Sequence, residues 1–268
     1  MSTLPPPTPG QPASGQPMTQ PPAAPAGPGL SAVARVINTF IAPSKTFSDL
    51  KRDASWWVPW LLLSLVTSGF LYMVHVKVGG EAVVNYRMSH ASFMERATQQ
   101  MTPEQKQQMI DNQVRSEGRG FYWTPLSNLI GGLVFAPLLM LTFNFLFDAQ
   151  VKFKWALAIV FYGWLPKILL LGLSMIALTV GVEPEGFDME NPIASHLGVI
   201  LGSNTDHRFY YHLLSVVDVF SIWSMFLMGL GFAVVSAKKI STGSAVTAVA
   251  VWYLIFILIR SAFSPFAG

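Results

Sequence analysis

The stretch 155-WALAIVFYGWLPKILLLGLSMIALTVGV-182 runs for 28 residues with a single charged side chain, Lys167. Crossing the hydrocarbon of a bilayer takes about 20 mostly apolar residues at 1.5 Å of helical rise each. A soluble core has no need of an apolar run that long. Four further stretches meet the same requirement: 56–76, 123–147, 211–235 and 245–263. The spans near 56, 123 and 155 open on tryptophans (Trp56, Trp57, Trp60, Trp123, Trp155), whose amphipathic rings favour the membrane–water interface. Composition agrees, with 51% hydrophobic and only 12% charged residues, where a soluble domain carries about 25% charged. The expected fold is all-α: a bundle of five transmembrane helices, with interfacial N-terminal helices and a helical extramembrane insert between the first two spans.

Residues 1–29 contain ten of the chain's 19 prolines and no charged side chain. Such a segment buries too little apolar area to offset its ordering entropy, so a disordered Pro-rich cytoplasmic tail is expected. It lacks the basic start and apolar stretch of a secretory signal. From Leu30 onward Val33, Val36, Ile37, Phe40 and Ile41 recur at helical spacing, with Arg35 and Asn38 between them, until Pro43 stops the helix. Ser44 is the expected cap of a second short helix carrying Phe47 and Leu50. Both are too short to span, and are read as lying on the membrane surface.

The polar insert, about 77–122, contains Thr102-Pro103-Glu104-Gln105, which has the cap, the first-turn proline and the Gln of a capping box. Two helices outside the bilayer are expected, the second ending at Gly118 and Gly120. Orientation follows from short basic connections, which favour the cytoplasm. Lys45, Lys51 and Arg52 precede the first span, Lys152 and Lys154 join the second to the third, and Lys238 and Lys239 join the fourth to the fifth. The third-to-fourth connection is acidic, with Glu183, Glu185, Asp188, Glu190 and Asp206. The N-terminus is therefore expected inside and the C-terminus outside.

Several segments carry a resemblance to a known family. RVINTFIAPSKTFSDLKRDASWWVPWLLL (35–63), KFKWALAIVFYGWLPKILLLG (152–172), SVVDVFSIWSMFLMGLGFAVVSAKKIS (215–241) and AVTAVAVWYLIFILI (245–259) resemble, in order and spacing, bacterial members of the YIP family (Ypt/Rab-interacting proteins). The resemblance covers about 35–263. It implies a five-helix integral protein with a cytoplasmic N-terminus, in the plasma (bacterial inner) membrane. Eukaryotic members are associated with small GTPases and membrane traffic. Their DLYGP-type motif has no counterpart here, and no Rab GTPase is expected as a partner.

Ionisable side chains within spans are costly unless paired or hydrated, which makes each a candidate site residue. Lys167, Asp218 and Arg260 stand out. Asp218 and Arg260 fall at comparable depth on antiparallel neighbours and are read as an ion pair, with a structural role ahead of a transport or relay role. Tyr162, Pro166 and Lys167 could line a polar cavity at a helix bend. Alternatively Lys167 snorkels, or pairs with Asp218 across the bundle. Asn128 and Asn144 are read as interhelical hydrogen bonders.

The chain has no cysteine, which removes thiolate metal sites, iron–sulfur clusters, disulfides and Cys nucleophiles. His75, His90, His196, His207 and His212 have no metal-ligand spacing, and no phosphate loop, nucleophile elbow or useful acid pair occurs. No catalytic residue, cofactor or metal is expected. The net charge of +3 forms no phosphate-binding stripe, so nucleic acid is not an expected partner. The expected partners are membrane lipids, together with another membrane protein or a second copy of the chain. The reading is a non-catalytic organising or adaptor protein. Its rival is a small transporter or channel, as a homodimer, with Lys167, Asp218 and Arg260 at its polar centre.

Overall fold

A computed structural model describes residues 28–90, 101–180, 193–201, 208–215 and 217–267, with the side chains of 86–90, 117–118, 208–209, 212 and 260–267 outside the description. The tail before residue 28 and the acidic connection 183–190 also lie outside it. The described elements are helical: α1 (Ala32–Ile41), α2 (Pro43–Asp49), α3 (Trp57–Lys77), α4 (Gly80–His90), α5 (Pro103–Phe147), α6 (Phe153–Gly163), α7 (Pro166–Val180), α8 (Arg208–Ser215), α9 (Val219–Val235) and α10 (Thr242–Ala267). A 3-10 turn, Leu197–Ile200, precedes α8. Among them, four segments are long and apolar enough to cross a membrane: Trp57–Lys77, Arg119–Phe147, Phe153–Val180 and Thr242–Ile259. Val219–Val235 is apolar but shorter, at 17 residues.

The insert differs from its sequence reading. Thr102 does form the capping box with Gln105, and α4 is a separate helix. The second expected helix, however, does not end at Gly118 and Gly120. It continues as α5 for 45 residues, about 67 Å. Glycine inside a helix costs only about 1 kcal/mol relative to alanine, and packing against α3 overrides that. Pro125 lies within α5 and has no N–H to donate to the Phe121 carbonyl one turn back. The Ser68 hydroxyl of α3 donates to that carbonyl instead, at 3.0 Å, and the Trp60 indole donates to the Pro125 carbonyl at 3.0 Å.

The third apolar stretch, Phe153–Val180, is interrupted by a two-residue turn at Trp164–Leu165. α6 ends at Gly163, and Pro166 opens α7 as its first residue. The fourth stretch is broken too, since Asp218 caps α9 from outside rather than lying within a span.

α6 is the centre of the bundle, with every residue from Ala156 to Gly163 buried. Its neighbours approach closely because small residues meet it. The Gly231 position of α9 faces Ile159 and Phe47, and Gly163 faces Met228. Phe143 of α5 stacks on Phe232 of α9 with ring centroids 4.2 Å apart. A side chain added at Gly229 would meet the Val246 backbone of α10 at 2.6 Å. Small residues at such contacts let helices pack where lipid supplies no hydrophobic drive between them.

The N-terminal pair is seated in this bundle. α1 does end before Pro43, but Ala42, not Ser44, is the N-cap residue of α2. α2 drives Phe47 and Leu50, both fully buried, into the main core. α1 turns Phe40 edge-on to Trp223 of α9 at 5.6 Å and leaves Val33, Ile37 and Ile41 exposed at helical spacing.

Gly229→Ala should lower the melting midpoint of the detergent-solubilised protein, because the Val246 backbone cannot yield as a side chain would. A loss of about 1–3 kcal/mol is expected. Gly172→Ala, where a side chain meets nothing within 4 Å, should leave the midpoint unchanged or slightly raised.

Candidate functional site

The densest polar cluster among the described residues lies between the N-terminal helices and α6. Arg35 is held on α1 by the Ser31 cap, whose hydroxyl accepts from the Ala34 amide. Its Nε donates to Asp49 Oδ2 at 2.6 Å and its Nη1 to Asp53 Oδ2 at 3.0 Å. Arg35 and Asp49 side chains are only 6% and 8% exposed, whereas Asp53 is 57% exposed. The Leu30 amide also donates to Asp49 Oδ2. The hydroxyls of Thr39 and Thr46 both donate to the Arg35 carbonyl, at 2.8 and 2.9 Å, tying α1 to α2 through a single acceptor. The fully buried Tyr162 of α6 lies within electrostatic reach of Arg35, Asp49 and Asp53.

Burial alone would lower the Arg35 pKa. The hydrogen bonds to Asp49 and Asp53, with the charge of Asp49, outweigh it and raise the pKa above the ordinary guanidinium value. A raised basic pKa gives stability that is fully present below the unfolded value and lost only as pH climbs past the folded one. Arg35 therefore stays cationic throughout the accessible range. Sequence reading put Arg35 on the polar side of a surface helix and missed its partners. Arg35 and Thr39, one turn apart opposite Val33, Ile37 and Ile41, were the available signal. Asp49 and Asp53 were absorbed into the basic run around them.

Among the described residues singled out from sequence, only Tyr162 stands beside this cluster. Pro166 is buried at the start of α7 and Lys167, beside it, is exposed. Asp218 is 6% exposed at the N-terminus of α9. Its carboxylate accepts from the Ser221 amide at 2.9 Å and from the Ser195 hydroxyl at 2.5 Å, and its backbone pairs with His196. The carboxylate thus satisfies an N–H that the start of a helix leaves without a partner.

Gly163 faces Met228 and Ile159 faces Gly231, which sets α6 and α9 antiparallel. Arg260 belongs to α10, and its side chain lies outside the described residues. Asn144 bonds the α5–α6 connection rather than a neighbouring helix, through the Val151 amide and carbonyl at 2.7 and 3.0 Å. Among the described residues, no three His, Asp or Glu side chains converge as metal ligands.

A family model of the Yip1 domain matches residues 37–261. The chain belongs to the Yip1-domain family. With its long apolar helices it is a multi-pass membrane protein. No curated protein and no solved structure matches it. The match begins inside α1 and ends inside α10. Within this Yip1 domain fall Asp49, Asp53 and Tyr162, while Arg35 stands two residues ahead of it.

Asp49→Asn in the Yip1-domain chain leaves the buried Arg35 short of its closest charge. A loss of about 3 kcal/mol is expected, of the size seen when one partner of a buried pair is removed. The double change Arg35→Gln with Asp49→Asn should recover part of it, and thermal unfolding in detergent reads the cycle.

Proposed function

We propose that this Yip1-domain protein is a non-catalytic membrane organiser or adaptor, acting through contacts with other membrane proteins or with lipid. The observation that carries the reading is the buried clamp of Arg35, Asp49, Thr39 and Thr46, which locks the two N-terminal helices to each other, while Phe47 and Leu50 seat the pair in the bundle core. A helix pair fastened in this way moves with the bundle, so that whatever binds to it is held in fixed relation to the membrane domain. The exposed apolar stripe Val33, Ile37 and Ile41 suits contact with lipid or an apolar helix face.

In this reading α9 is a fifth span. Its 17 residues cover about 26 Å, a few ångströms short of a typical hydrocarbon core, which a locally thinned bilayer accommodates. The lysines of the α5–α6 and α9–α10 connections set those ends, and the N-terminus, in the cytoplasm, with the C-terminus outside.

The test is a tagged purification of the full chain in mild detergent, with lysine crosslinking and mass spectrometry. A stoichiometric partner, crosslinked through Lys45 or Lys51 and reduced in Asp49→Asn, is the expected result. A homo-oligomer with no partner would overturn the adaptor role.

That outcome would favour a small homodimeric transporter or channel built around Lys167, Asp218 and Arg260. The break at Trp164–Leu165, which leaves the adjoining Lys167 exposed within an apolar segment, speaks for it, because interrupted helices serve many transport sites. Asp218→Asn would then abolish flux in liposomes with expression unchanged. If the carboxylate only caps α9, and pairs with Arg260, the same change lowers the melting midpoint instead.

A further inference from the structure

Two connections that are far apart in sequence meet at one end of the bundle. α5 and α9 end there, and α6 and α10 begin there. The Ala237 amide of the α9–α10 connection donates to the Ala149 carbonyl of the α5–α6 connection at 2.9 Å. Lys238 Nζ reaches Asp148 Oδ2 at 3.0 Å. The α5–α6 connection is itself held in one shape. Asn144 bonds both the amide and the carbonyl of Val151, and Asp148 and Gln150 take left-handed backbone conformations, with φ of 50° and 52°.

Lys152, Lys154, Lys238 and Lys239 stand exposed on this joined surface. Lys152 lies over the Trp155 ring, 5.3 Å from its centroid. Asp148 is the one acidic side chain between residues 148 and 154 or between 236 and 242, and it engages only Lys238. A net surplus of about three positive charges therefore sits on a braced backbone, directly beyond the apolar ends of α5, α6, α9 and α10.

We propose that this surface is a composite binding site for anionic phospholipid headgroups, assembled from the α5–α6 and α9–α10 connections together. Lysine ammonium groups bind phosphate as point charges with three donors each. Charges just past the ends of apolar helices stand at headgroup depth, which selects a lipid phosphate over a soluble one. The Trp155 ring beneath Lys152 suits the same interfacial layer. Bracing matters because a surface already ordered loses less entropy when a ligand binds. Each lysine near an anionic leaflet contributes a preference of roughly fivefold. The site depends on the membrane position of these ends and not on the adaptor role, so either can fail without the other.

The test uses the full chain in detergent, titrated with phosphatidylglycerol, phosphatidylcholine or soluble glycerol phosphate and read by native mass spectrometry. Two charge-matched pairs are compared with a control: Lys152→Gln with Lys154→Gln, Lys238→Gln with Lys239→Gln, and Lys106→Gln with Arg115→Gln on the far part of α5. Retained phosphatidylglycerol should fall about 25-fold in each of the first two, at roughly fivefold per lysine, and stay at the wild-type level in the control. Glycerol phosphate should not bind, and added salt should release phosphatidylglycerol but not phosphatidylcholine from the wild-type chain. A loss confined to one lysine pair would overturn the composite site. Equal loss in the control, equal retention of the two lipids, or salt-insensitive binding would overturn a specific site altogether. Should a variant unfold, the salt and lipid comparisons on the wild-type chain still decide the matter.

Discussion

Backbone amides and carbonyls inside hydrocarbon have no water to bond, so each place where a helix breaks must be satisfied by the protein itself. Much of this architecture follows from how those breaks are repaired. Pro166 cannot donate to the Tyr162 carbonyl, and the Leu165 amide takes that acceptor at 3.2 Å. The amides of Lys167 and Ile168 then bond Trp164 and Leu165, three residues back, and the chain passes from α6 to α7 in tightened turns. At Pro125 the free carbonyl is taken by Ser68 of α3. At the start of α9 the Asp218 carboxylate meets the Ser221 amide. Repairs of this kind also set where neighbouring helices must stand.

The same logic explains the ionic clamp at the N-terminus. A buried guanidinium is tolerated only with its charge paired and its donors used. Asp49 and Asp53 supply the charge, and Tyr162 brings a polar group from the most buried helix. α1 is therefore oriented with its polar side toward the protein and an apolar stripe outward, the reverse of a helix on a soluble protein. The clamp joins α1 to α2, and the buried Phe47 and Leu50 of α2 make the pair part of the bundle. The braced lysine-bearing connections add a second cluster of contacts, between α5–α6 and α9–α10. The Yip1 domain thus carries its polar side chains as joints, and the functional reading rests on what those joints hold in place.

The membrane class, the positions of the long apolar helices, the capping box at Thr102 and the family were legible in the chain itself. Long apolar runs, cap residues and prolines act through local chemistry, which needs no knowledge of the fold. Lys167 and Asp218 were visible as charges in apolar surroundings, but Asp218 proved to lie at a helix end. The apolar run continues across residues 211–235, and hydropathy alone does not register a break in the backbone.

Tertiary structure alone decided which polar groups meet. Arg35 and Asp49 are fourteen residues apart and Arg35 and Tyr162 far more, and only the seating of α1 and α2 against α6 and α9 brings them together. It also decided that α5 runs through Gly118 and Gly120, since contact with α3 outweighs a local preference of about 1 kcal/mol for each glycine. Composition and periodicity determined that this chain enters a membrane, because transfer from water to lipid sums over residues. Pairing does not sum in that way: it depends on distances between helices, and these exist only once the bundle has formed.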